Sequence, residues 1–238
     1  MRSADATTIF RVLLVFFSIY LIILKFNAVL IILIIAIAFL LDGIDGYLAI
    51  REESNGDISI IEYLRATTGN TKDKKRIKAI KESISKAHPY GPRMDVAGDR
   101  AVEYSLWVVF IYLNILPLFI LLIIIFRHSF VDAIMGAKGT SNKMKTKLAR
   151  IVYSSSIGRG GVNVVKFVTF SYLILVYILG YPIIYGYILT GILVSYILLR
   201  GIAEINEAFL ISCILSYFLH DKKKNRRCPI FLTLLMLV

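Results

Sequence analysis

An all-α membrane protein, a bundle of six transmembrane helices with both termini on the cytoplasmic side, is the fold class the sequence predicts. Three observations predict it. Of 238 residues, 58% are apolar and only 18% charged, which leaves too little polar material to cover a water-soluble domain of this length. The apolar residues come in long runs, and at roughly 20 residues per crossing the chain accommodates six helices and little else. Basic residues outnumber acidic ones by 28 to 16, and they gather on alternate connections. That distribution makes the formal net charge of +12 an orientation signal and not a nucleic-acid footprint.

The first span, 7–24, is marginal, because its uninterrupted apolar core begins only at Val12 and must borrow Thr7 to Arg11 to reach spanning length. No small-x-small cleavage site follows it, so it reads as a helix that stays in place. The others are 28–50, 94–116, 118–135, 162–179 and 183–199. Tight turns join them pairwise at Lys25-Phe26-Asn27, around Asn114 and Pro117, and at Gly180-Tyr181-Pro182. Every Lys and Arg except Lys25 belongs to the opposite face, which the positive-inside rule makes cytoplasmic.

Two apolar stretches, 208–219 and 229–238, are each too short to span. They are expected to extend the sixth helix and to form part of a basic interfacial tail, 220–238. The whole chain then makes a single membrane domain with one sizeable hydrophilic insertion, 52–90. Within it, Ile77, Ile80, Ile84 and Ala87 recur at helical spacing among lysines, the pattern of an amphipathic basic helix on the cytoplasmic side. Such a helix either lies on anionic lipid or acts as a lid over a site. Cys213 and Cys228 have no metal-ligand or redox spacing, and His88, His128 and His220 are scattered.

Carboxylates mark the candidate site. Asp42 and Asp45 end the second apolar run, while Asp95, Asp99 and Glu103 open the third. A lone Asp near the centre of a spanning helix costs roughly 3 kcal/mol, so four unpaired would approach 12 kcal/mol unless something offsets it. Spacings of i,i+3 and i,i+4 put each pair on one face of its helix, and two facing helices would aim four carboxylates at one point. All-oxygen ligation without Cys or His selects Mg²⁺ or Mn²⁺, and four carboxylates suffice for two ions. Gly43, Gly46 and Gly91 flank the acids, where a missing side chain either lets a diphosphate approach backbone or serves helix packing.

Read as one string, Asp42-x2-Asp45-Gly46-x2-Ala49 followed by Gly91-x3-Asp95-x3-Asp99 resembles the signature of the CDP-alcohol phosphotransferase family. The motif covers two helices, and the six-span plan is similar to the family fold over most of the chain. Two departures stand out. The arginine expected directly after Ala49 is replaced by Ile50, with Arg51 one place later, and the spacer before Gly91 is stretched across 52–90.

The resemblance implies a reaction in which the hydroxyl of a small alcohol attacks the lipid-linked phosphoryl group of a CDP-lipid and CMP leaves. It implies metal ligation by Asp42, Asp45, Asp95 and Asp99, with Asp99 as the general base. It also places the nucleotide beside Gly46, Ala49, Arg51 and Gly91. The partners expected are therefore a CDP-linked lipid, a small alcohol, the bilayer and a second copy of the chain in a homodimer, with no nucleic acid. Arg127, Lys147, Arg159 and Lys166 are candidates to gather a phosphate on the acceptor, glycerol phosphate or inositol phosphate. The other reading pairs Arg127 with Asp132 or with the site acids.

Two rival classes share the acids. A membrane prenyltransferase would also bind a lipid diphosphate through Mg²⁺ and aspartates, and a cation transporter would use the carboxylates as its transport site. Against the transporter, no repeat of the acidic motif is visible, although internal repeats are common in transporters.

Overall fold

The computed structural model describes residues 3–54, 57–68, 90–138 and 156–219, together with 76–77, 79–80 and 83–84. These residues are helical apart from short connections, with no strand among them. The helices are α1 (Ser3–Ile23), α2 (Ala28–Glu53), α3 (Ile60–Thr68), α4 (Gly91–Tyr112), α5 (Leu118–Lys138), α6 (Ser156–Leu179) and α7 (Ile183–Leu219). Among the described residues, four stretches are long and apolar enough to cross a membrane: Asp5–Ile23, Ala28–Glu53, Gly161–Leu179 and Ile183–Asn206. Helices α4 and α5 match them in length and carry charges of their own. Arg93, Asp95, Asp99, Arg100 and Glu103 lie in α4, and Arg127 and Asp132 in α5.

The helices start and stop where local chemistry dictates. Lys25 and Asn114 adopt left-handed backbone, with φ of 52° and 57°. Each closes its helix in a Schellman arrangement, since Phe26 N–H donates to Leu21 C=O and Ile115 N–H to Phe110 C=O. Gly180 ends α6 at φ 71° without the Cβ cost. All three expected turns therefore reverse the chain through one left-handed residue. Lys25 lies 5.0 Å from the Tyr177 ring centroid, a cation–π contact that gives the lone basic residue of these turns a partner. Asn27 caps α2 by accepting from the Val29 and Leu30 N–H groups. Pro92 stands in the first turn of α4, where its missing N–H costs nothing. Helix α7 runs unbroken through 208–219, as the sequence suggests for that stretch. Residues 139–155 and 220–238 lie outside the described residues.

By contacts the chain divides into two compact units, one of residues 1–121 and 163–193, the other of 122–162 and 194–238. In the first unit α1 packs on α2 and α4. Its core holds Ile22, Ile31, Ile35, Leu106, Phe110, Leu173 and Ile174. Trp107 meets Phe170 edge to face at 5.1 Å between ring centroids. Large apolar side chains such as Leu13, Val29, Leu33, Leu40 and Val164 point outward, the composition expected where the surrounding solvent is lipid. In the second unit Ile124, Val131, Ile197 and Ala203 are buried around a charged pair, Arg127 and Glu204.

Helix α1 approaches α4 at Gly98. A β-carbon there would stand 2.6 Å from Thr8 Cγ2 and 3.3 Å from Arg11 Nη2. Thr8 is β-branched and stiff, so the helices would have to separate to admit even a methyl group. Gly98→Ala is expected to cost about 1–3 kcal/mol, read as a lowered unfolding midpoint in detergent micelles. An unchanged midpoint would show that the close approach is dispensable.

Candidate functional site

Helices α2 and α4 bring three of the four predicted acids together, Asp42, Asp95 and Asp99. Asp42 lies just past the middle of α2, and Asp95 and Asp99 sit one turn apart near the start of α4. One carboxylate oxygen from each lies within 4.8 Å of the other two. Oxygens around a hard ion at ~2.1 Å stand about 3–4 Å apart, so a small inward movement would complete three sites of ligation. Asp45 follows Asp42 by one turn of the same helix; its side chain lies outside the described residues.

A fourth residue, from α1, enters the cluster. Arg11 pairs through Nη1 with Asp42 Oδ1. Its Nη2 donates to Asp99 Oδ1 at 2.8 Å and stands 3.8 Å from Asp95 Oδ1. Asn163 of α6 donates from Nδ2 to Asp42 Oδ2 at 2.9 Å, so both oxygens of that carboxylate are oriented by neighbours. The Arg11 side chain is only 4% exposed, a burial that would cost several kcal/mol without the acids beside it. Asp95 is half-exposed, yet its Oδ1 is buried with no hydrogen-bond partner. An inward-turned carboxylate oxygen left in that state suits a cation better than a neutral donor set.

Of the positions expected beside a nucleotide, Gly46, Ala49 and Arg51 lie along the second half of α2, and Gly91 lies on α4. Gly46 lies under the Tyr63 hydroxyl, 3.2 Å from where a β-carbon would be. Ala49 packs against a small apolar cluster formed by Ile50, Ile58, Ala66, Ile77 and Ile84. Arg51 is exposed in the last turn of α2, and Gly91 opens α4. The described residues Ile58, Ala66, Ile77 and Ile84 of the insertion are therefore packed onto the end of α2. Tyr47 and Tyr63 rings lie 5.7 Å apart, and Tyr47 Oη donates to Ile58 C=O at 3.3 Å. Ile50, which stands where the family pattern has arginine, is 1% exposed at the centre of that cluster. Ile77 and Ile84 belong to the cluster and Ile80 packs against it, and Ala87 lies outside the described residues. Arg76 adds exposed ion pairs to Asp57 at 2.9 Å and Glu62 at 3.1 Å, each worth little by itself.

The candidate phosphate-gathering residues fall in different places. Lys166 Nζ donates to Glu103 Oε2 at 2.5 Å, and Arg100 lies 3.8 Å from the same oxygen. Arg127, in the second unit, donates from Nη2 to Glu204 Oε2 at 2.9 Å. Lys147 and the side chain of Arg159 lie outside the described residues. Sequence reasoning missed Arg11, Asn163 and Glu204. Arg11 offered a signal, since an arginine between Phe10 and Val12 in an apolar span calls for a partner. Asn163 offered none. Compared with family models, with curated proteins and with solved structures, the chain has no match.

Proposed function

We propose that this chain is a membrane phosphotransferase of the CDP-alcohol type, moving a phosphatidyl-type group from a CDP-linked lipid to the hydroxyl of a small alcohol in phospholipid synthesis. The observation that carries the reading is the convergence of Asp42, Asp95 and Asp99 from two helices separated by a long insertion, in the spacing of the signature they resemble. In this reading α4 and α5 are two further spans, making six, with both termini and the acids at the cytoplasmic face.

Asp42, Asp95 and Asp99, with Asp45 one turn away, would hold Mg²⁺ or Mn²⁺. Bound there, divalent ions supply charge neutralisation for the diphosphate and for the departing CMP. The chain's own residues do the rest. Asp99, 43% exposed, is reachable from solvent and accepts the proton of the attacking hydroxyl. The hydroxyl oxygen bonds to the lipid-linked phosphorus, the bond from that phosphorus to the bridging oxygen breaks, and CMP carries that oxygen away. Gly46, Ala49, Arg51 and Gly91 border the nucleotide, and Asn163 holds the Asp42 carboxylate in a fixed orientation. Lys166 and Arg127 both face carboxylates, so a phosphorylated acceptor would have to exchange with Glu103 or Glu204 to reach them.

Purified protein incubated with CDP-diacylglycerol and Mg²⁺ is expected to release CMP when the right acceptor is supplied from glycerol phosphate, inositol phosphate, inositol and serine. EDTA should abolish release and added Mg²⁺ or Mn²⁺ should restore it. Turnover of a prenyl diphosphate with none of a CDP-lipid would replace this reading with prenyl transfer. Metal uptake by proteoliposomes without CMP release would replace it with transport.

A further inference from the structure

Arg11 is the feature of the site that neither the acidic pattern nor the resemblance accounts for. It reaches the acids from a third helix, is almost fully buried, and contacts two of the three converging carboxylates while standing 3.8 Å from the other. The contact is built in. Gly98, one residue before Asp99, has no side chain where the Arg11 guanidinium and Thr8 pass. Asn163 takes the oxygen of Asp42 that Arg11 does not.

A guanidinium stays charged at every accessible pH, so this positive charge cannot be removed by losing a proton. The oxygens it engages on Asp42 and Asp99 belong to the same carboxylates that would ligate a divalent ion. An ion must either displace the guanidinium from those oxygens or bind beside a like charge a few ångströms away. Both routes weaken the ion's hold. We propose that Arg11 is a tethered cation that competes with divalent metal for Asp42 and Asp99, holding the acids together without metal and setting the site's metal affinity. This rests on the metal reading of the acids, and adds that the affinity is set by α1.

The test is Mn²⁺ binding to full-length protein in detergent, read from the electron paramagnetic resonance signal of free Mn²⁺, for wild type, Arg11→Gln and Arg11→Lys. Removing one unit charge at this range from a partly buried site is expected to tighten Mn²⁺ binding about tenfold or more in Arg11→Gln. Arg11→Lys keeps the charge but loses the fork that spans two carboxylates, and should fall between the two. In EDTA, Arg11→Gln should unfold at a lower temperature than wild type, and saturating Mn²⁺ should close that gap. Equal or weaker Mn²⁺ binding by Arg11→Gln overturns the competition while leaving the metal site standing. If Arg11→Gln does not yield monodisperse protein, Arg11→Lys decides, and a wild-type affinity there overturns the proposal. Absence of Mn²⁺ binding in all three proteins removes the metal reading itself, and the competition with it.

Discussion

Asp99→Asn should cut CMP-releasing turnover by roughly a hundredfold to ten-thousandfold, the range that a positioned general base contributes. CDP-lipid and metal should still bind, more weakly. The amide keeps the shape of the carboxylate and an oxygen that can accept from Arg11 Nη2, which donates to Asp99 Oδ1 at 2.8 Å. It cannot accept the hydroxyl proton in the same way, and it donates no charge to a cation. Stopped turnover with measurable binding is the pattern expected of the base. Unimpaired turnover would take Asp99 out of that role, and loss of binding alone would make it a ligand only.

The largest expected effect on stability lies in the second unit. Arg127 and Glu204 are 8% and 7% exposed and joined by a 2.9 Å hydrogen bond, with Arg200 3.7 Å from the other Glu204 oxygen. Glu204→Ala strips a buried guanidinium of its carboxylate, and breaking a buried pair from one side typically costs about 3–5 kcal/mol. Replacing both at once, Arg127→Met with Glu204→Met, should recover most of that loss because the pair is removed as a unit and neither charge is left facing the other's place. Chemical unfolding in mixed micelles separates the two outcomes. A single variant within about 1 kcal/mol of wild type would mean that water or another group compensates the arginine. The site is also crowded at Gly201, where a β-carbon would lie 2.8 Å from Arg127 Nε, so the arginine's path is fixed by the helix it crosses.

Much of the secondary structure is visible in the sequence for simple reasons. Apolar runs of spanning length form helices whatever their neighbours do, and the reversals at Lys25, Asn114 and Gly180 fall where those runs break. The paired acids are equally legible, because i,i+3 and i,i+4 spacing fixes a face before any packing is known. Partners across helices are not. Whether Arg11 or another residue of α1 meets Asp42 depends on how that helix is rotated and how closely Gly98 lets it approach, and neither is written in local pattern. The same holds for Lys166 with Glu103 and Arg127 with Glu204, pairs separated by 63 and 77 residues. For Arg127 the sequence supplied the need for a partner without supplying its address.

Ile50 ties the end of α2 to the chain that follows it. Its side chain is the floor on which Ile58, Ala66, Ile77 and Ile84 rest, so the isoleucine and the long connection after α2 depend on one another. An arginine at position 50, with the connection kept, would press a charge into a nest of isoleucines. Shortening the connection while keeping Ile50 would strand an apolar side chain at the helix end. Either step alone is a loss. The two are therefore expected to change together, and a variant that loses either one alone should unfold at a lower temperature than the chain that keeps both.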